Sequence, residues 1–85
     1  MTNFNDVIDL IYQTRDKAKL EDLLAGLTTP KERQEFAQRL EIVKRLIAGD
    51  AQHKIAADLG VGVATVTRGS KELSANRFKV LRKNK

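Results

Sequence analysis

No cysteine occurs among the 85 residues, which excludes disulfides and thiolate metal sites. A single histidine, His53, is too little for an imidazole metal cluster. Aromatic residues make up only 5% of the chain, and no stretch alternates apolar and polar side chains, so half-buried strands are not expected. No apolar run approaches the roughly 18 residues of a membrane span. The N-terminus carries Asp6 and Asp9 with no basic residue before Arg15, unlike a secretory signal. The expectation is a soluble, cytoplasmic protein with no membrane partner. Nucleophile–base pairings, metal clusters and phosphate loops are also missing, so no enzyme activity is expected. The length leaves room for one domain, 1–85, which buries a modest share of its surface. With disulfides and metals gone, association with a second copy remains as a source of stability, and a homodimer is expected.

What the chain does have is positive charge, unevenly placed. The net charge is +5. Residues 1–30 carry three basic and five acidic side chains, residues 31–60 six and five, and residues 61–85 seven and one. A basic end on a near-neutral body points to a polyanion partner. For 77–85 alone, a solvated basic tail is an equal reading.

The apolar spacing is helical throughout, and six short helices are expected. Phe4, Val7, Ile8 and Ile11 form one stripe over about 4–14, and Leu20, Leu23, Leu24 and Leu27 form a second. Thr29-Pro30-Lys31-Glu32 opens the third helix with Thr at N-cap, Pro at N1 and Glu at N3, a reciprocal capping box. Phe36, Leu40, Val43 and Ile47 mark one face of that helix, widened by Ile42 and Leu46, and Gly49 ends it. So wide a belt suits a central helix at a dimer interface. Two short helices follow, over 51–59 and 62–73, and Phe78 and Leu81 anchor a last turn or two.

Residues 52–73 have the constraints of a helix-turn-helix. Ala56 is small where two helices must cross closely, and Gly60 supplies a positive φ four residues later. Ile55, Leu59, Val61 and Val66 plug the angle between the helices. The start of the second helix then faces the major groove of double-stranded DNA, presenting Gly62, Val63, Ala64 and Thr67. Their tips suit thymine methyls but offer few hydrogen bonds, with Thr67 supplying the one hydroxyl. Gln52, His53 and Lys71 are the candidate phosphate contacts; His53 is equally well an ordinary surface residue. Few direct base contacts leave DNA shape and bridging water to carry specificity.

Arg68-Gly69-Ser70 is unexpected in such a unit, because glycine inside a helix costs about 1 kcal/mol relative to alanine. Open space beside Arg68 for a flat ligand is one compensation. Three segments carry a family resemblance: Leu27-Thr28-Thr29-Pro30-x-Glu32-Arg33, Arg39-Leu40-x-Ile42-Val43, and the run from Gly60 to Ser70, Gly-Val-Gly-Val-Ala-Thr-Val-Thr-Arg-Gly-Ser. The sequence resembles the tryptophan operon repressor family over a little more than half its length. Members of that family are themselves known examples of helix-turn-helix docking and of water-mediated base contacts, so those points come with the resemblance.

The resemblance implies an all-helical, intertwined homodimer that takes L-tryptophan as corepressor and then binds a palindromic operator. It implies that Arg39 and Arg68 sandwich the indole and that Arg68 also holds the carboxylate. Val43, Thr65 and Gly69 would line the slot, and Thr29 of the partner chain would close it. Glu72 stands where family members often carry a small polar residue, and is included as a ligand contact that would pair with an ammonium or repel a carboxylate. Taken without the resemblance, Arg39 reads as one half of a surface ion pair with Glu35. Two other functions fit the residues: a helix-turn-helix regulator needing no ligand or a different one, and a helical RNA- or protein-binding adaptor working through the basic tail.

Overall fold

The computed structural model describes residues 1–82; part of the expected basic tail, 83–85, lies outside the described residues. The described chain is all-helical. Five α-helices run in order as α1 (Phe4–Gln13), α2 (Lys17–Leu27), α3 (Pro30–Ile47), α4 (Gln52–Leu59) and α5 (Val63–Ser74). A sixth helix was expected after Ser74, but the described residues hold only a three-residue 3-10 turn there, Lys79–Leu81. Two left-handed residues stop the chain from continuing as a helix, Asn76 at φ 68° and Phe78 at φ 60°. Asn76 closes α5 much as a glycine would: its N–H bonds to Leu73 O and that of Arg77 to Glu72 O, both at 3.0 Å.

The chain divides into two compact units, residues 1–34 and residues 35 onward. In the first, every helix start is capped by a side chain. Asn3 Oδ1 accepts from the Asp6 N–H at 3.1 Å while Asp6 Oδ2 accepts from the Asn3 N–H at 2.9 Å. Asp16 Oδ1 accepts from the Ala18 and Lys19 amides at 2.8 and 3.2 Å. The Thr29–Glu32 box forms as its spacing predicts, at 3.1 Å in one direction and 2.8 Å in the other. Arg33 adds a C-terminal cap to α2 by donating to the carbonyls of Ala25 and Thr28, each at 2.9 Å. Well-capped helices are nonetheless poorly covered ones here. No residue from 1 to 34 is buried, and Phe4 and Tyr12 are 75% and 78% exposed.

The second unit has a core. Ile42, Ile55, Ala56 and Val66 pack together, with Leu46, Leu59 and Val61 against them; Val43 is also buried. Of the face expected on α3, Ile42 and Val43 are buried, whereas Phe36, Leu40 and Ile47 are exposed. Gly49 (φ 99°) and Gly60 (φ 68°) end α3 and α4 in the left-handed conformation, where the missing Cβ removes the steric penalty.

Arg45 fastens the end of α3 to its surroundings, bonding Asp50 at 2.7 Å and Asp58 at 2.8 Å, while Lys54 reaches Asp58 at 3.2 Å. The hydrogen bond from Arg45, then that from Lys54, holds the Asp58 carboxyl below its ordinary 3.8. A carboxyl whose folded-state pKa is depressed stabilises the fold fully above its unfolded pKa and loses that contribution as pH falls through the folded value. The thermal midpoint is therefore expected to fall as pH drops below about 4. Asp58→Asn should lower stability at neutral pH and flatten that part of the acid profile, measured by calorimetry across pH. An unchanged slope in the variant would mean that other carboxylates carry the acid sensitivity.

Candidate nucleic-acid interface and ligand slot

Helices α4 and α5 meet through the Gly60 turn. The Val61 N–H bonds to Ala56 O at 3.0 Å and that of Gly60 to Ala57 O at 3.4 Å, which turns the chain within three residues. Ala56, 5% exposed, sits among the core residues that α4 and α5 share, where a larger side chain would force the two helices apart. The start of α5 is left outward. Gly62, Val63 and Ala64 are exposed, and Val63 is 52% so. His53 and Lys71 are exposed as well.

Thr67 differs from its expected part. It is half-buried, and its hydroxyl donates to Gln52 Oε1 at 2.8 Å. The Thr67 hydroxyl thus keeps only acceptor capacity, while Gln52, anchored through its carbonyl oxygen, has no partner for its two amide donors among the described residues. The pair also ties the start of α4 to α5.

The helix starts here contrast with those of 1–34. Neither Ala51 before α4 nor Gly62 before α5 makes a side-chain capping bond. The Lys54 and Thr65 amides bond back to Ala51 O and Gly62 O, each at 3.1 Å. Among the described residues no side chain accepts from the first turn of either helix, and a helix N-terminus with free N–H groups favours an anion such as phosphate.

On the other side of α5 lies a cavity of about 570 Å³, within the roughly 300–1,000 Å³ usual for small-molecule sites. Ile42, Val43 and Gly69 give it an apolar floor. Arg39 from α3 and Arg68 from α5 line it, together with Thr65 and Glu72. All six slot residues expected from a single chain are therefore brought together. Arg39 does not form the surface pair with Glu35 that was its alternative reading, and Arg68 is likewise without an ion pair among the described residues. Thr29, the seventh, is engaged in capping α3.

Gly69 acts differently from the simplest expectation. A Cβ added there would stand 3.2 Å from Ile42 Cγ2 and 3.5 Å from Leu46 Cδ1. The missing side chain lets α5 close down on α3, and the open space lies beside that contact rather than at the glycine itself. Sequence reasoning missed five further residues at the cavity, Ile42 (expected only as part of the apolar face of α3), Glu35, Gln38, Arg77 and Phe78. For the last two no local signal existed, because the left-handed backbone that brings them round is set at Asn76 and Phe78.

Two short helices on a left-handed glycine turn, the second with an uncovered N-terminal face, define a helix-turn-helix unit. Comparison with known proteins then gives the family. The family model described as "Trp repressor protein" matches residues 2–82, and the chain belongs to that family. It is 41% identical over 75 residues to a Trp operon repressor homolog of Vibrio cholerae, covering 87% of this chain and 73% of that one. A homolog of the same name from Photobacterium profundum is 44% identical over 73 residues, covering 85% and 71%. One from Vibrio vulnificus is 40% identical over 73 residues, covering 85% and 72%. The family is one of DNA-binding transcriptional repressors and is regulatory rather than enzymatic. Among the described residues, no helix is long and apolar enough to cross a membrane.

Proposed function

We propose that this chain is a repressor that takes L-tryptophan as corepressor and binds a palindromic operator as a homodimer. The observation that carries the reading is the cavity between α3 and α5, where the guanidinium groups of Arg39 and Arg68, without an ion pair among the described residues, stand on an apolar floor. A flat indole between two guanidinium planes gains cation–π attraction, and Arg68 offers a charge-assisted hydrogen bond to the carboxylate. Val43, Thr65 and Gly69 shape the slot. Glu72 supplies a negative group suited to the ammonium, which favours a zwitterion over a plain carboxylate.

The ligand acts by filling the space between α3 and α5, which fixes the angle at which α5 leaves the core. Gly62, Val63, Ala64 and Thr67 then meet base edges, and Gln52, His53 and Lys71 meet phosphates. In a two-fold dimer, the two α5 helices must match major grooves about 34 Å apart. Only the liganded arrangement has that spacing, so the ligand shifts a population rather than creating a new surface.

Dimerisation is supported by the apolar surface a single chain leaves uncovered: Phe4, Leu10, Tyr12 and Leu27 in the first unit and Phe36, Leu40 and Ile47 on α3. A second copy covers these in an intertwined arrangement, and the partner chain's Thr29 closes the slot.

The test is operator binding by fluorescence anisotropy, with and without L-tryptophan, over a salt series. Affinity is expected to rise at least tenfold with the ligand at every salt concentration. Equal affinity in both conditions would leave a ligand-independent regulator of the same family instead.

A further inference from the structure

The segment after α5 supplies a further wall of the slot. Phe78 lines the same cavity as Arg39 and Arg68, yet it is only half-buried and belongs to no part of the Ile42–Ile55–Val66 core. Its backbone lies at φ 60°, ψ 38°, a left-handed conformation that is an outlier for a bulky side chain. Such a conformation persists where surrounding contacts over-determine it. Here Arg77 Nε lies 3.6 Å from Glu72 Oε1, and the Leu81 N–H bonds to Phe78 O at 3.0 Å. The Arg82 guanidinium donates to Leu73 O and, at 3.4 Å, to Asn76 Oδ1, which seals the end of α5 with the returning chain. An aromatic ring is thus held at a cavity by several polar ties, without being part of the core that would otherwise explain it.

We propose that Phe78 is a ligand-contacting, specificity-determining residue whose ring packs on the aromatic part of the ligand. The inference rests on the tryptophan reading of the slot. Two guanidinium groups attract any flat π system or anion. An aromatic wall adds preference for an aromatic amino acid over an aliphatic one, because ring pairs in offset or edge-to-face contact gain more than their buried area. Arg77, tied to Glu72, is a positioning residue that keeps the segment in place.

The test uses the full chain with L-tryptophan as probe. Because the chain contains no tryptophan, the ligand's own emission can be followed as protein is added, alongside calorimetry. Phe78→Ala and Phe78→Leu are expected to weaken binding roughly two- to tenfold and to reduce the blue shift of the bound ligand, while Phe78→Tyr retains both. Phe78→Leu keeps apolar bulk, so it decides the matter if the alanine variant does not fold. Wild-type affinity in Phe78→Leu would overturn the aromatic wall and leave tryptophan binding intact. Absence of binding by the unaltered chain would overturn both readings.

Discussion

Arg68→Ala should fold normally and lose its response to L-tryptophan. The side chain is exposed and has no ion pair among the described residues, so its removal leaves no buried charge behind. Substitutions of that kind usually change stability by no more than about 0.5 kcal/mol. The ligand loses more. Stacking on a guanidinium contributes about 0.5–2 kcal/mol, and a hydrogen bond to a charged group about 1.5–3 kcal/mol. Together these are about 2–5 kcal/mol, or roughly thirty- to several-thousand-fold in affinity. Arg39→Ala removes stacking alone and should cost roughly two- to thirtyfold. Calorimetric titration of both variants checks the asymmetry. Equal losses would mean that Arg68 does not hold the carboxylate, and no loss in either would remove the slot from the mechanism. Operator affinity in Arg68→Ala should equal that of the ligand-free chain, since a ligand shifts an equilibrium only through differential binding.

Ile55→Ala is expected to bring the protein close to unfolding. Ile55 is fully buried, at 0% exposure, and packs with Ile42, Ala56 and Val66 in a cluster that joins α3, α4 and α5. Truncating a buried isoleucine to alanine costs about 2–5 kcal/mol in transfer free energy and cavity formation. A chain of this size has a total stability of roughly 4–13 kcal/mol. Urea unfolding should show a much lower midpoint with an unchanged m-value, at one fixed protein concentration because subunit association would add to the apparent stability. Val63→Ala makes the contrast: at 52% exposure on the reading face it should barely move the midpoint while weakening operator binding. A small shift for Ile55→Ala would place the core elsewhere, in contacts that only an assembled dimer makes.

Local rules were readable wherever a few neighbouring residues decide the outcome. Thr29, Pro30 and Glu32 form their capping box, and Gly49 and Gly60 take positive φ where the turns require it. The Asn3–Asp6 box was less legible because Asp, rather than Glu or Gln, stands at N3, although Asn is a favoured N-cap. Spacing also placed Ile55, Ala56 and Val66 in one plug, because offsets along two short helices joined by a tight turn leave little freedom. It overstated the coverage of α3, since Phe36, Leu40 and Ile47 repeat at helical period whether or not anything lies against them. Periodicity reports a face, and a single chain need not bury it.

The sequence alone determined an all-helical chain and a helix-turn-helix, because caps, a turn glycine and apolar period act over a few residues. The family was legible only through the resemblance of three segments, 27–33, 39–43 and 60–70. The tertiary structure decided how those residues share space. It committed the Thr67 hydroxyl to Gln52, made Gly69 a point of close approach to Ile42, and brought Arg39 and Arg68 to one cavity. It also turned the end of α5 at Asn76 so that Phe78 joins that cavity, where a sixth helix was expected. Those outcomes depend on distances between residues far apart in the chain, and such distances are set by packing α3 against α5.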